Sequence, residues 1–444
     1  MQQIDTIIQA RWIIPVEPHG RVLDNHSVAI HEGRIVAMGP HRDITGRFQA
    51  GQTIELSGHA LIPGLVNAHT HAAMSLLRGL ADDLPLITWL NEHIWPAEQR
   101  WVSEEFIHDG SQLAMAEMLR GGTTCFNDMY FFPEVTARVA SAIGLRASLG
   151  LILIDFPTAY ASDADDYLHK GLALHDQFRN DPLIHTAFAP HAPYTVSDGP
   201  LEKLRTLADE LDIPIHMHVH ETCHEVDEAV RSGERPLRRL DRLGLLSPAM
   251  IAVHMTQLDT TDIELVAERG CHVVHCPESN LKLASGFCPV QQLLDVGINV
   301  ALGTDGAASN NDLDMLGEMR SAALLAKAVA GDAAALPAAD TLRMATLNGA
   351  LALGLGDDIG SIEVGKWADL CAVNLLELET QPLYHPLSQL VYACTRQQVT
   401  DVWVAGRHLL KDRVLTSLDE SAVMRQAQDW QARIAATDPD GTQT

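Results

Sequence analysis

The chain has 444 residues, more than one compact core usually holds, so a large domain with a smaller companion is expected. Apolar residues make up 46% and charged residues 20%, which excludes a disordered chain, and no apolar run is long enough to span a membrane. With 31 basic and 58 acidic residues the formal charge is −27, a surface that repels polyphosphate and argues against a nucleic acid polymer as partner.

Residues 1–18 carry no basic region followed by an apolar stretch, since Asp5 and Arg11 interrupt it, so no signal peptide is expected. The seven cysteines are odd in number and scattered, a pattern of reduced thiols and a cytoplasmic location. Cys271 and Cys276 lie close together, but no second pair completes a structural zinc site.

In chain order, residues 5–16 read as a strand, and 27–30 with 34–38 read as a hairpin turning at Glu32-Gly33. The far end repeats this texture: 360–374 and 399–414 are strand-like, with Ala405-Gly406 as a turn. Between these ends, eight short apolar runs occupy 61–68, 123–126, 146–154, 184–189, 213–219, 250–253, 271–274 and 298–302. The segments between them, such as 103–120, 197–211 and 260–269, space their apolar residues as helices do.

Eightfold strand–helix alternation predicts an α/β fold, a (β/α)8 TIM-like barrel, with a doubly wound sheet as the competitor. The barrel is favoured because reactive residues fall at the C-terminal ends of the runs. The first run enters His69-Thr70-His71 and the fourth reaches His191. The fifth carries His216, His218 and His220 and ends at Glu221, while the last three end at His254, His275 and Asp305. Gly354, Gly356 and Gly360 have the wrong spacing for a dinucleotide loop. The expected organisation is a small β-sandwich from both termini (1–61 and 361–444, the latter with a C-terminal helix) around a barrel over 62–360.

His69 and His71, two apart in a strand, point the same way and offer half of a nitrogen-rich metal site. Alone, such a pair is as readily two satisfied polar residues at a strand end. His216, His218 and His220 share one face, so periodicity does not say which of them binds metal. His220-Glu221-Thr222-Cys223-His224 also matches the zinc-protease pattern, which requires both histidines on one helix. Pro214 and the alternation of Ile213, Ile215, Met217 and Val219 with histidine argue instead for a strand. Asp305 sits in a Gly-Thr-Asp-Gly turn and, taken singly, is an ordinary turn aspartate. Together, three imidazoles and one carboxylate from the first, fifth and eighth runs can converge on one divalent metal.

Residues 63–71, Pro-Gly-Leu-Val-Asn-Ala-His-Thr-His, resemble the first-strand signature of the amidohydrolase superfamily. His218 followed by Glu221 is similar to the fifth-strand ligand and proton shuttle of its adenine and cytosine deaminases. Residues 303–311, Gly-Thr-Asp-Gly-Ala-Ala-Ser-Asn-Asn, resemble the eighth strand of the methylthioadenosine/S-adenosylhomocysteine deaminases. Trp95-Pro96-Ala97-Glu98, Pro190-His191-Ala192-Pro193-Tyr194 and the Ser279-Asn280-Leu281-Lys282-Leu283 core extend the likeness over nearly the whole chain.

The resemblance implies that His69, His71, His218 and Asp305 bind one divalent metal per subunit, zinc or alternatively iron. It implies hydrolytic deamination of a 5′-substituted adenosine, with methylthioadenosine foremost and adenosine or S-adenosylhomocysteine as further substrates. Glu221 would be the proton shuttle and would contact the base together with Asp305, which is also catalytic, and His254 would orient the attacking hydroxide. Glu98 would bind the ribose hydroxyls, His191 the nucleoside, and Arg146 the far end of the substrate. The fourth run contains no lysine of the kind that bridges two metals in binuclear relatives, which fits a single metal.

Each position also has an ordinary reading: Glu98 as a surface carboxylate, His191 and His254 as structural histidines, His275 as structural or supporting, Arg146 as half of a salt bridge. The alternatives in function are a same-fold deaminase or chlorohydrolase acting on a free base or triazine, and a non-catalytic barrel scaffold. A homo-oligomer is compatible with the sequence but not specified by it.

Overall fold

The computed structural model describes residues 1–436; the end of the expected second terminal segment, 437–444, lies outside the described residues. The chain opens with β1 (Gln2–Ile13), β2 (Leu23–His31), β3 (Arg34–Pro40) and β4 (Phe48–Pro63). There follow β5 (Leu65–Thr70), β6 (Thr123–Asp128), β7 (Arg146–Leu153), β8 (Ile184–Pro190), β9 (Ile215–Val219), β10 (Met250–His254), β11 (His272–His275) and β12 (Val300–Leu302). Last come β13 (Leu370–Asn374), β14 (Val399–Val404), β15 (Arg407–Lys411) and β16 (Val414–Leu415).

Strands β5 to β12 pair in parallel, each with its neighbour in sequence, and helices fill the connections. β5, β6, β7, β9, β10 and β12 are buried at every position, as parallel strands covered on both faces are, and β9 differs from the apolar runs in alternating its apolar residues with His216 and His218. The first predicted run proves to be two elements. Residues 61–63 finish β4, and Leu65 begins β5 after Gly64 donates its N–H to the Asp369 carbonyl (2.9 Å).

The barrel closes between β12 and β5 by side chains as much as by backbone. The Asn67 amide donates to Thr304 Oγ1 (2.8 Å), its carbonyl accepts from Thr304 N–H (3.0 Å), and Asp305 N–H donates to the His69 carbonyl (3.0 Å). A Cβ on Gly303 would lie 2.8 Å from that of His69, so only glycine lets the two strand ends approach this closely.

The terminal strands form one continuous mixed sheet in the order β16-β15-β14-β13-β4-β1-β2-β3. It curls so that its ends meet. Gly33 in the β2–β3 turn packs on the Ala405-Gly406 turn, where a Cβ would come within 2.6 Å of the Ala405 carbonyl, and Ile35 N–H donates to the Lys366 carbonyl (2.9 Å). The interior so enclosed is apolar, with Ile8, Ile13, Ile30, Leu56, Leu370 and Trp403 in contact. The predicted helices stand where expected: Glu104–Arg120 starts behind Ser103, whose hydroxyl accepts from Phe106 N–H (3.2 Å), and Thr260–Arg269 behind an Asp259 capping box. The C-terminal helix Glu420–Ala435 lies on Glu104–Arg120, with Trp430 against Phe106 and its indole N–H on Asp109 Oδ2 (2.9 Å).

One expected site residue belongs here instead. Arg146 stands at the N-terminal end of β7, buried, and is not part of the cavity at the other end of the barrel. Its Nε and terminal nitrogen donate to Asp369 (2.9 and 3.2 Å), and its other nitrogen to the Pro182 carbonyl (2.9 Å), joining barrel to terminal sheet. The substrate-contact expectation is thereby corrected: the guanidinium is saturated by internal acceptors on the wrong face. Removing one member of such a pair strands the other charge, at about 3–5 kcal/mol. Arg146→Leu should therefore lower denaturant stability by that order while leaving KM within about twofold; a raised KM at unchanged stability would restore the substrate role.

Candidate active site

At the C-terminal mouth of the barrel, the donor atoms of His69, His71 and Asp305 lie within 4.8 Å of one another, and His218 joins them through His69. His69 Nε2 is 3.3 Å and His71 Nε2 is 3.2 Å from the same Asp305 oxygen, Oδ1, and His218 Nε2 is 3.2 Å from His69 Nε2. Ligands about 2.0–2.1 Å from a tetrahedral cation stand roughly 3.3–3.4 Å apart, so this spacing suits a divalent metal with nitrogen and oxygen donors. His254 joins His69 and His218 in a second grouping whose donor atoms lie within 4.8 Å of one another.

The far ring nitrogens explain why the near ones converge. His71 Nδ1 donates to the Met129 carbonyl (2.5 Å) and His218 Nδ1 to the His191 carbonyl (2.7 Å), while His69 Nδ1 meets His216 Nε2 (3.0 Å). Each bond fixes a ring and leaves Nε2 facing the other donor atoms, free to coordinate a cation. Asp305 is held through Oδ2 by the Ser279 hydroxyl (2.6 Å) and through Oδ1 by Gly306 N–H (2.7 Å). His254 and Asp305 both sit at positive φ, 75° and 63°, a backbone strain of order 1–3 kcal/mol each that the strand ends hold in place.

The three histidines of the fifth run, indistinguishable by periodicity, take different places. His218 faces the centre, and His216 lies behind His69 as its hydrogen-bond partner. His220, at φ 52°, bonds the Gln257 carbonyl and accepts from Leu237 N–H. His224 is exposed on the helix Cys223–Ser232, so the zinc-protease pattern is not formed on one helix.

Burial drives the His69 imidazole down to about 4, and burial with its histidine neighbours holds His218 well below its ordinary value. Both are neutral donors. Burial opposes a charge on His71, but the bond and charge of Asp305 outweigh it and raise that ring to about 9. Burial also disfavours the Asp305 charge, yet His69 and His71 hold its carboxyl well below the carboxylate range.

Beside this centre stand Glu221 and His254. Burial raises the Glu221 carboxyl above its usual range. Its Oε1 lies 3.9 Å from His254 Nε2, and the other ring nitrogen of His254 bonds Asn280 Oδ1 (2.9 Å). The Glu225 carboxylate accepts from the backbone N–H groups of His220 (3.0 Å) and Glu221 (2.7 Å), which aims the Glu221 side chain. His191 lies over the centre, its Nδ1 on Thr195 Oγ1 (3.0 Å).

These groups open into a cavity of about 780 Å³. Its walls include Met74, Leu86, Trp89, Trp95, Ile154 and Phe156, and Glu98 also lines it. Glu98 Oε1 accepts from the Tyr130 hydroxyl (2.7 Å), and burial raises its carboxyl to about 7 against that bond. The cavity is therefore lined by His71, Glu98, His191, His218, Glu221, His254 and Asp305, with His69 buried beside Asp305 outside the lining, and it omits Arg146.

Tyr130 and Glu225 were not singled out from sequence. Glu225 falls four residues beyond Glu221, but nothing in a lone helical glutamate says that it reaches back to the strand end. The roles of Ser279 and Asn280 were equally hidden, although their motif was visible.

The amidohydrolase family model matches residues 60–409. The chain belongs to the amidohydrolase family. It is 51% identical to a 5-methylthioadenosine/S-adenosylhomocysteine deaminase from Teredinibacter turnerae, over 98% of each chain. A crystal structure of an adenosine deaminase from Xanthomonas campestris, with bound zinc, superposes with a TM-score of 0.97 at 58% identity, covering 98% of this amidohydrolase and 99% of that chain. An atrazine chlorohydrolase from Arthrobacter aurescens, complexed with zinc, shares the fold at a TM-score of 0.88 and 23% identity, over 96% and 99% of the two chains.

In this amidohydrolase, Glu225→Gln replaces one acceptor by a donor facing an N–H. The loss of one bond to a charged group, about 1.5–3 kcal/mol, should lower kcat by roughly 10- to 100-fold with metal content unchanged. Normal kcat would dissociate Glu225 from the aim of Glu221.

Proposed function

We propose that this protein deaminates 5′-substituted adenosines hydrolytically, with methylthioadenosine foremost, releasing the inosine analogue and ammonia. The observation that carries the reading is a cluster of donor atoms, neighbours in it 3.2–3.3 Å apart, at the floor of a nucleoside-sized cavity. His69, His71, His218 and Asp305 would hold one divalent cation, zinc by the likeness to the Xanthomonas campestris structure and iron as the alternative. A cation there supplies Lewis-acid acidification of water, from a pKa of ~16 to ~7, or about 12 kcal/mol.

The protein's own groups manage the remaining protons. Asp305 takes one from the attacking water. Glu221, whose burial favours the protonated form, delivers one to ring N1 as oxygen adds at C6, a contribution of about 3–5 kcal/mol. His254, fixed by Asn280, orients the attacking oxygen and steadies negative charge as it develops. The proton held on Asp305 then passes to the departing amine, the C6–N bond breaks, and the proton left on the added oxygen returns to Glu221, so that ammonia leaves with the keto product and both carboxyl groups are restored. His191 meets the nucleoside from above the centre. Glu98, oriented by Tyr130, accepts from the ribose hydroxyls, which no free base or triazine offers.

The reading places the enzyme in the cytoplasm with a small nucleoside as partner. In support, all seven cysteines are unpaired, and no helix among the described residues is long and apolar enough to cross a membrane.

Ammonia release from methylthioadenosine, adenosine, adenine, guanine and cytosine tests the activity directly. Turnover of the two nucleosides is expected, with the bases at least ~100-fold poorer; the reverse order would give the site to a free base. Glu98→Ala should raise KM for methylthioadenosine about 10-fold or more through the lost charged hydrogen bonds. An unchanged KM would remove Glu98 from the sugar.

A further inference from the structure

The far walls of the cavity carry information about the 5′ substituent that the catalytic groups do not. Among the residues that line it there is no lysine and no arginine. The charged groups are Glu98, Glu221 and Asp305, all acidic, and the histidines cluster at the metal centre. Away from that centre the lining is mostly apolar, with Trp95 meeting Phe156 edge to face at 6.4 Å and Ile94, Ile154 and Leu86 beside them, and its polar members Asn91, Gln99 and Thr158 are uncharged. Even the indole N–H of Trp89 is turned out of play, donating to the Ala81 carbonyl (3.1 Å).

A second cavity of about 550 Å³ adjoins the first, sharing Leu86, Tyr194 and Glu221. Its two cations are already engaged. Arg239 bonds Asp198 (2.7 Å), the Val196 carbonyl (2.9 Å) and the Pro193 carbonyl, and Arg242 bonds Asp198 (3.3 Å) and Glu234 (2.6 Å). The same cavity adds Glu225 and Glu228 to its acidic lining. An amino-acid carboxylate entering either space would lose water and meet no free positive partner. A thioether or hydroxyl has no such difficulty, and sulfur packs well against aromatic rings.

We propose that this enzyme selects adenosines with an uncharged 5′ substituent and discriminates against the zwitterionic tail of S-adenosylhomocysteine. The inference rests on the deaminase reading above and adds the identity of the tail to it.

The test compares kcat/KM for methylthioadenosine, 5′-butylthioadenosine and S-adenosylhomocysteine on the metal-loaded enzyme, the butyl compound matching the length of the charged tail without its charge. Methylthio and butylthio substrates should fall within about 10-fold of each other, and S-adenosylhomocysteine on the order of 100-fold lower. Phe156→Arg, which places a cation on an exposed part of the wall, should raise the S-adenosylhomocysteine to methylthioadenosine ratio about 10-fold. S-adenosylhomocysteine within threefold of methylthioadenosine would overturn the proposal, as would a butyl compound as poor as S-adenosylhomocysteine, since length and not charge would then decide. Absence of turnover for every adenosine would instead refute the activity itself.

Discussion

Atoms that all offer lone pairs do not gather unaided. Asp305 Oδ1 stands 3.2–3.3 Å from the His69 and His71 nitrogens, and His218 stands 3.2 Å from His69, in a setting where burial strips them of water. The fold supplies the opposing force from behind: a carbonyl on β6's end for His71, a carbonyl on β8's end for His218, His216 for His69 and Ser279 for Asp305. A cation held there would complete an arrangement that the protein has already made, which is preorganisation in the sense that matters for catalysis.

The seam of the barrel is where this force is concentrated. β5 and β12 meet through Asn67, Thr304 and the Asp305 N–H, so the same contacts that close the barrel bring His69 and Asp305 together. Gly303 is required by that approach. Structural closure and ligand placement are one set of bonds. The Arg146–Asp369 pair plays its part at the opposite end, tying the barrel to the curled terminal sheet, and among the described residues no lysine or arginine lines the cavity.

Most of the barrel strands were legible because burial on both faces makes them apolar runs with a polar residue at the tip, while β9 was marked by histidines alternating with apolar residues. The join between β4 and β5 was not, because apolar residues run through Pro63 and Gly64 without interruption. At the site, His69, His71, His218 and Asp305 could be named from motif. The distinction among His216, His218 and His220 could not be read from spacing, since it depends on a positive φ at His220 and on what each ring finds across the barrel. Tyr130 and Glu225 were invisible for the same reason: their work is done through partners 32 and 4 residues away that only folding brings near. Arg146 was misplaced because a strand's sequence does not announce which end of the barrel a given arginine will occupy.

Stoichiometric reconstitution puts the convergence itself to the test. Metal-stripped protein titrated with zinc, with ammonia release from methylthioadenosine followed at each addition, should gain activity linearly and level off at one equivalent per chain. A break at two equivalents, or full activity before any zinc is added, would contradict a single cation held by His69, His71, His218 and Asp305.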